Sequence, residues 1–316
     1  MQYSINGKPA PIAAIGTWAW GGGMNGGRMI FGTVTYESAL MESFDIAYAL
    51  GYTLWDTAAV YGMGNAERIL AKCIQGKPII LSDKFTPMGG FSEKAIEKAL
   101  AGSVKHLHGL TPDIYWLHSP KHIGENLAYF CELQKQGRIG SIGVSNFNLE
   151  QICQAQALLA NNGLQLGGVQ NHFSLIYRKS ERAGILHWCE EHDVPFFSYM
   201  TLEQGALTGR YNGSHGFPAC SRRGLAFPNA KLHKLEPLHA ELEVIGKEHG
   251  LSIPETAMVW AISKNTIPII GITKPNQAQA LSHITGKTLS TEEMLRLEEA
   301  ASKTGIEIAG SWEPKE

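Results

Sequence analysis

PIILSDKF, residues 78–85, reads as a buried strand that runs into the charged side chain of Lys84. Short apolar runs of this kind suit strands covered on both faces, as in parallel sheets. Working outward, LWDTAAVYG (54–62) puts Asp56 at a strand end and Tyr61 just beyond it, and DIYWLHSP (113–120) does the same for His118. In a barrel of parallel strands the carboxyl ends converge on one face, and that face carries the chemistry. An acid, a phenol, an amine and an imidazole gathered there make a proton-delivery site, which predicts an enzyme.

The rest of the chain repeats the unit. Further strands are expected at AAIG (13–16), SIGVS (141–145), LGGVQN (166–171), VPFFSYM (194–200) and TIPIIG (266–271), with TLWD (53–56) and DIYWLH (113–118) completing the set. Helical periodicity falls between them, at 35–50, 64–74, 92–107, 125–136, 149–161 and 181–192. In the segment 92–107, Ile96, Leu100, Val104 and Leu107 share a face and Ser92 stands at the N-cap position. This alternation predicts an α/β fold, a (β/α)8 TIM barrel occupying residues 1–316 as one domain. A doubly wound sheet of five or six strands would leave the last units without a place. YSINGKPAP at the start reads as a hairpin with an Asn-Gly turn, closing the barrel bottom. The stretch 201–235 reads as a long irregular loop, and in a compact domain such loops usually serve function. The glycine-rich stretch GTWAWGGGMNGGRMIFG (16–32) should lie over the active face, with Trp18, Trp20 and Met24 as a wall.

Composition narrows the class. A net charge of −2 and a pI near 6.6 leave no basic excess to hold nucleic acid or an anionic membrane. No apolar run reaches spanning length, and the first residues carry no leader-like segment. Cys73, Cys131, Cys153, Cys189 and Cys220 are scattered and lack C-x-x-C spacing. That argues against a disulfide framework or a zinc site and fits the cytoplasm. The remaining histidines show no metal-ligand spacing, so no metal is expected.

Taken in order, GTW (16–18), WDTAAVYGMGNAE (55–67), DKF (83–85), LHSP (117–120), GRIGSIGVSNF (137–147), VQNHFSLIYR (169–178), GALTGRY (205–211) and ITKPNQ (272–277) resemble the aldo-keto reductase family. The pattern after the first strand is more like the bacterial general-stress and sugar-reductase branches than the mammalian aldose reductase branch. The resemblance implies a barrel that binds NADP(H), with NAD(H) as the alternative, and reduces a small-molecule aldehyde or ketone, as a monomer or homo-oligomer. Carbonyl reduction needs a hydride on carbon and a proton on oxygen. Tyr61 is the candidate acid. A free phenol titrates near ~10, so Lys84, steadied by Asp56, is expected to lower its pKa, with His118 orienting the carbonyl oxygen. The family pattern assigns Gly16, Thr17, Trp18 and Met200 to the cofactor, with Met200 also at the substrate rim, Ser145, Asn146 and Gln170 to its carboxamide, and Tyr199 to the nicotinamide ring. It assigns Leu202, Gln204, Gly205, Leu207, Gly209 and Arg210 to the pyrophosphate, and Gly271, Thr273, Lys274 and Gln277 to the 2′-phosphate. Trp18, Trp20, Met24 and Phe85 would face substrate.

Some features stand apart. GMGNAE (62–67) loosely matches a dinucleotide fingerprint, but Lys84 stands where an acidic ribose ligand belongs, so the segment reads as a turn and helix cap. Ala280-Leu281 replaces the Glu-Asn that grips adenine in many relatives. His172 stands where an acidic residue or proline is frequent and has no evident task. Trp116, two residues before His118, should face the barrel interior beneath the site. Arg222 and Arg223 read as surface charges, with a latch on the cofactor loop as the alternative. Two rival functions remain: a Schiff-base aldolase built on Lys84, and an NADP-binding barrel acting as a sensor or partner protein.

Overall fold

The computed structural model describes residues 3–23, 26–32, 34–218, 221–308 and 310. Two short antiparallel strands come first, β1 (Ser4–Ile5) and β2 (Lys8–Pro9). Asn6 and Gly7 between them both take positive φ, 49° and 75°, which is the twist a tight hairpin turn requires. The hairpin is pinned to the barrel through one carboxylate. Asn6 Nδ2 donates to Asp113 Oδ1 at 3.0 Å, and the Lys8 ammonium lies 2.8 Å from the same oxygen. Asp113 Oδ2 in turn accepts from the backbone N–H of Leu81 at 2.9 Å.

The barrel is built from β3 (Ala14–Gly16), β4 (Leu54–Asp56), β5 (Ile80–Phe85), β6 (Ile114–Leu117), β7 (Ser141–Ser145), β8 (Leu166–His172), β9 (Phe196–Tyr199) and β10 (Ile267–Gly271). Each pairs in parallel with the next, and β10 closes on β3. Every expected strand is present; most are trimmed at their ends, β7 matches its expected bounds and β8 runs one residue further, to His172. The helices Glu37–Ala49, Asn65–Ile74, Glu93–His106, Ile123–Lys135 and Leu149–Ala160 stand where periodicity put them. Ser92 caps its helix, accepting from Ala95 N at 3.2 Å.

Two regions differ from expectation. The helix foreseen at 181–192 is two helices, Lys179–Arg182 and Ile185–Glu191, because Gly184 between them is left-handed at φ 77°. The stretch 201–235 is not irregular throughout. It holds a 3-10 segment, Glu203–Thr208, and the short helices Arg222–Ala226 and Asn229–His233.

Strand alternation divides the core into an inner and an outer part. Ala14, Leu54, Ile80, Ile114, Trp116, Phe197 and Ile267 fill the lower interior together with Ile5 from the hairpin. Their neighbours Ile15, Trp55, Leu81, Tyr115 and Phe196 face the helices. Trp116, Gly143 and Gly168 lie side by side across three strands. A Cβ at Gly143 would stand 2.3 Å from the Trp116 ring, and one at Gly168 would stand 2.8 Å from it. The two glycines make the space the indole occupies.

Candidate active site

The same alternation aims Asp56, Ser82, Lys84 and His118 inward, toward the carboxyl ends of their strands and past Leu54, Ile80 and Trp116. Lys84 is fully buried, and its Nζ lies 2.5 Å from Asp56 Oδ2 and 2.7 Å from the Thr57 carbonyl. Asp56 Oδ1 accepts from Ser82 Oγ at 2.7 Å and Gln170 Nε2 at 3.1 Å. Ser82 Oγ also accepts from the Trp116 indole at 2.7 Å. A buried ion pair is tolerated only when its remaining lone pairs are met, and this carboxylate is met on both oxygens. The backbone joins in: the Thr17 hydroxyl donates to the Asp56 carbonyl at 3.0 Å.

Tyr61 enters from the turn after β4. Its ring centre is 5.1 Å from Lys84 Nζ, 6.4 Å from the His118 ring and 5.9 Å from the Trp18 ring, which it stacks at 24°. The phenol's pKa is raised well above the ordinary value, first by burial and then by the negative charges of Asp56 and Asp83. This differs from the expected lowering. The Lys84 ammonium is engaged by Asp56 and the Thr57 carbonyl, so its charge does not dominate at the phenol. At rest Tyr61 is therefore protonated. His118 is pushed down to about 3 by burial and then by Lys84, so its imidazole is neutral. Its Nδ1 pairs with Thr86 Oγ1 at 2.7 Å, and its carbonyl accepts from Asn146 Nδ2 at 2.8 Å. The arrangement offers a protonated phenol, a neutral imidazole and a fixed cation within one pocket.

Around the mouth, Asn146 is left-handed at φ 65° and its Oδ1 accepts from the Tyr199 hydroxyl at 2.5 Å. Asn146 Nδ2 also reaches Ser145 Oγ, at 3.3 Å, and Ser145 is buried. Gln170 donates to Asp56, a role its sequence position does not reveal. Beyond β9 the chain turns through Met200, Leu202, Gln204, Gly205, Leu207 and Gly209 before the exposed Arg210. Leu207 is fully buried, so only its backbone is open to a ligand. After β10, Gly271 is exposed and Thr273 and Lys274 lead into the helix Pro275–Ile284. There Gln277 Oε1 accepts from the backbone N–H of Thr273 at 2.8 Å and of Lys274 at 3.1 Å. Leu281 is buried, and its carbonyl accepts from the Tyr52 hydroxyl at 2.9 Å. The departure at 281 thus serves packing.

The structure corrects three further expectations. Phe85 follows the inward Lys84 and so faces outward, against Phe130 at 6.2 Å, and is no substrate wall. Trp20 is 1% exposed. Its indole donates to the Ile272 carbonyl at 2.7 Å and packs on Trp55 at 5.6 Å, outside the barrel. Arg223 is buried, not a surface charge. Its Nη1 donates to the Gln204 carbonyl at 3.1 Å, and it lies over the rings of Phe217 and Tyr211 at 4.7 and 5.2 Å. Gly16 ends β3 against Ile269. Met24 and Cys220 lie outside the described residues. Trp18 does flank the pocket, held edge-on by Phe31 at 5.4 Å. Ser82 and Thr86 join the site without having been foreseen, yet both stand two residues from Lys84 on the inward face, so the period-two rule points to them. Among the described residues no cluster of His, Cys, Asp or Glu is arranged to hold a metal, and no helix is long and apolar enough to cross a membrane.

The sequence and the fold both match a known enzyme group. The model of the Aldo/keto reductase family matches residues 14–302. The chain belongs to this family. It is 31% identical over 316 residues to the aldo-keto reductase YhdN of Bacillus subtilis, covering 93% of this chain and 91% of that one. It is 30% identical over 309 residues to a chloroplastic pyridoxal reductase of Arabidopsis thaliana, covering 92% and 82%. Among solved structures, the glycerol dehydrogenase AKR11B4 of Gluconobacter oxydans superposes with a TM-score of 0.81 at 25% identity, over 100% of this chain and 97% of that one. The protein is accordingly an oxidoreductase with the family's barrel.

Proposed function

We propose that the protein reduces an aldehyde or ketone with NADPH, with Tyr61 as the general acid. The observation that carries the reading is the buried Lys84, held by Asp56 and Thr57, beneath the protonated Tyr61 and beside the neutral His118. A bound nicotinamide dinucleotide would supply the hydride. The substrate carbonyl oxygen would receive a hydrogen bond from His118 and the proton from Tyr61. Lys84 is the positive charge placed to offset the phenolate that proton transfer would leave, against the burial and the Asp56 charge that keep the resting phenol protonated. Asp56 keeps that ammonium in place, and Ser82 and Gln170 keep Asp56 in place.

The residues fit the cofactor. Tyr199 offers a ring at the strand end, its hydroxyl fixed by Asn146. Among the described residues, Arg223 brings a buried positive charge to the turn at Gln204 with no carboxylate partner, and its Nε has no hydrogen-bond partner. Such a charge suits the pyrophosphate. Lys274, exposed at a helix start, suits the 2′-phosphate. With Leu281 committed to the core, the adenine end is held by fewer groups, and NAD(H) is the alternative cofactor. The relatives named for pyridoxal and glycerol point to small polar molecules, which fit the mixed lining of Trp18, Tyr61 and His118. We place the enzyme in the cytoplasm on its cysteine usage.

Tyr61→Phe tests this directly. NADPH oxidation with a panel of aldehydes and ketones should fall about 10²–10⁴-fold, the usual worth of a general acid, while NADPH binding followed by tryptophan fluorescence is retained. Turnover that survives the substitution would sink the mechanism.

A further inference from the structure

His172 takes no part in the mechanism above, yet its surroundings are specific. It ends β8 and is buried. Its ring stacks on Tyr177 at 3.8 Å and 14°, and lies nearly parallel to Tyr199 at 5.5 Å and 24°. Its Nε2 is 2.7 Å from Glu203 Oε1, and the Ser174 hydroxyl donates to that same oxygen. Glu203 is itself buried at 1% exposure. It belongs to the turn after β9, where Met200, Glu203 and Gln204, none of them glycine, hold positive φ of 60°, 46° and 55°. Left-handed non-glycine residues persist only where the surroundings over-determine them. Here the determinants are visible. The Glu203 N–H donates to the Met200 carbonyl at 2.7 Å, Arg223 holds the Gln204 carbonyl at 3.1 Å, and His172 with Ser174 holds the Glu203 carboxylate.

We propose that His172 and Glu203 form a latch that positions the cofactor. One imidazole backs the Tyr199 ring, against which the nicotinamide would lie, and its Nε2 holds the loop that would cover the pyrophosphate. The inference rests on the proposed cofactor site and adds to it a pair of positioning residues that touch neither substrate nor cofactor. The latch couples the two ends of the cofactor's nicotinamide half and leaves out the 2′-phosphate pocket at Thr273 and Lys274, which lies on another loop.

That separation supplies the test. Dissociation constants are measured by tryptophan fluorescence for NADPH and for adenosine 2′,5′-bisphosphate, which fills only the adenosine end. The variant His172→Phe/Glu203→Leu removes both partners, so no buried carboxylate is left unpaired. Its NADPH dissociation constant should rise about tenfold, the worth of a hydrogen bond to a charged group. Its constant for the bisphosphate should stay within about twofold of wild type, since that pocket is untouched. Glu203→Gln keeps an oxygen for His172 and Ser174 and should lose less than about threefold for NADPH, because hydrogen bonds between neutral groups are weaker but still made. Equal weakening of both ligands, or of neither, overturns the latch. A wild-type protein that binds neither ligand overturns the cofactor reading itself, and the two failures are thereby told apart.

Discussion

The two sides of the active face are held by different means. On the side of β4, β5 and β6, all the groups but Tyr61 stand on strands or directly past their ends, and the period-two alternation brings Asp56, Ser82, Lys84 and His118 to the upper interior. On the side of β9 and β10, the groups stand on turns whose backbone is left-handed at Met200, Glu203 and Gln204 and is held by buried side chains. The first side would keep its geometry with many different loops. The second depends on a few anchors, and a change in any one shifts the backbone a ligand would touch.

The strand side should therefore break hardest when its ion pair is cut. Lys84→Met leaves Asp56 buried with only Ser82 and Gln170, and should cost about 3–5 kcal/mol in urea denaturation along with nearly all turnover. A loss below ~1 kcal/mol would show that the two neutral donors satisfy the carboxylate without the lysine. Next comes the layer beneath. Gly143→Ala pushes a methyl group into the Trp116 ring and should cost about 1–3 kcal/mol. A neutral result would mean the indole has room to shift.

The outer face of the same strand gives a pH-dependent effect. Asp83 follows Ser82 and precedes Lys84, so it faces outward, beside Glu67 and Ser103 and near enough to His106 for its charge to be felt there. Its carboxyl is pushed up to about 8, first by burial and then by the negative charge of Glu67. The folded state keeps a proton that the unfolded chain releases near ~4. The stability this group contributes is full below that value and is lost as pH rises through about 8. Asp83→Asn keeps an oxygen for the Lys84 amide, which Asp83 Oδ1 accepts at 2.8 Å. The variant should gain on wild type with rising pH, by at most about 1.4 kcal/mol per unit. A pH-independent difference would show that Asp83 is ionised throughout.

The smallest expected effect is none. With His118 neutral down to about 3, the pH profile of NADPH oxidation should show no imidazole inflection near its ordinary value. An inflection there that disappears in His118→Gln would show that an imidazolium forms in the working enzyme.

The same contrast explains how much is legible in the residues alone. All eight barrel strands can be read because each is a short apolar run; Asp56, Lys84 and His118 can be read because they close such runs, and Tyr61 because it stands just past one. Phe85 is misplaced only when the alternation that aims Lys84 inward is not carried one residue further. Trp20 and Arg223 are hard to place for another reason. Neither position has a period to follow: one lies in a glycine-rich loop and the other in the long connection after β9, and their burial depends on distant partners, Ile272 and Gln204. His172 and Glu203 are 31 residues apart, and only the fold brings them together.

The row of Trp116, Gly143 and Gly168 has an evolutionary consequence. Shrinking the indole first opens a cavity that two glycines cannot fill, and enlarging either glycine first collides with the ring. Every route from this core to one with medium-sized residues at the three positions starts with a loss. The three sites are epistatic, and in descendants of this chain they should change together or stay as they are.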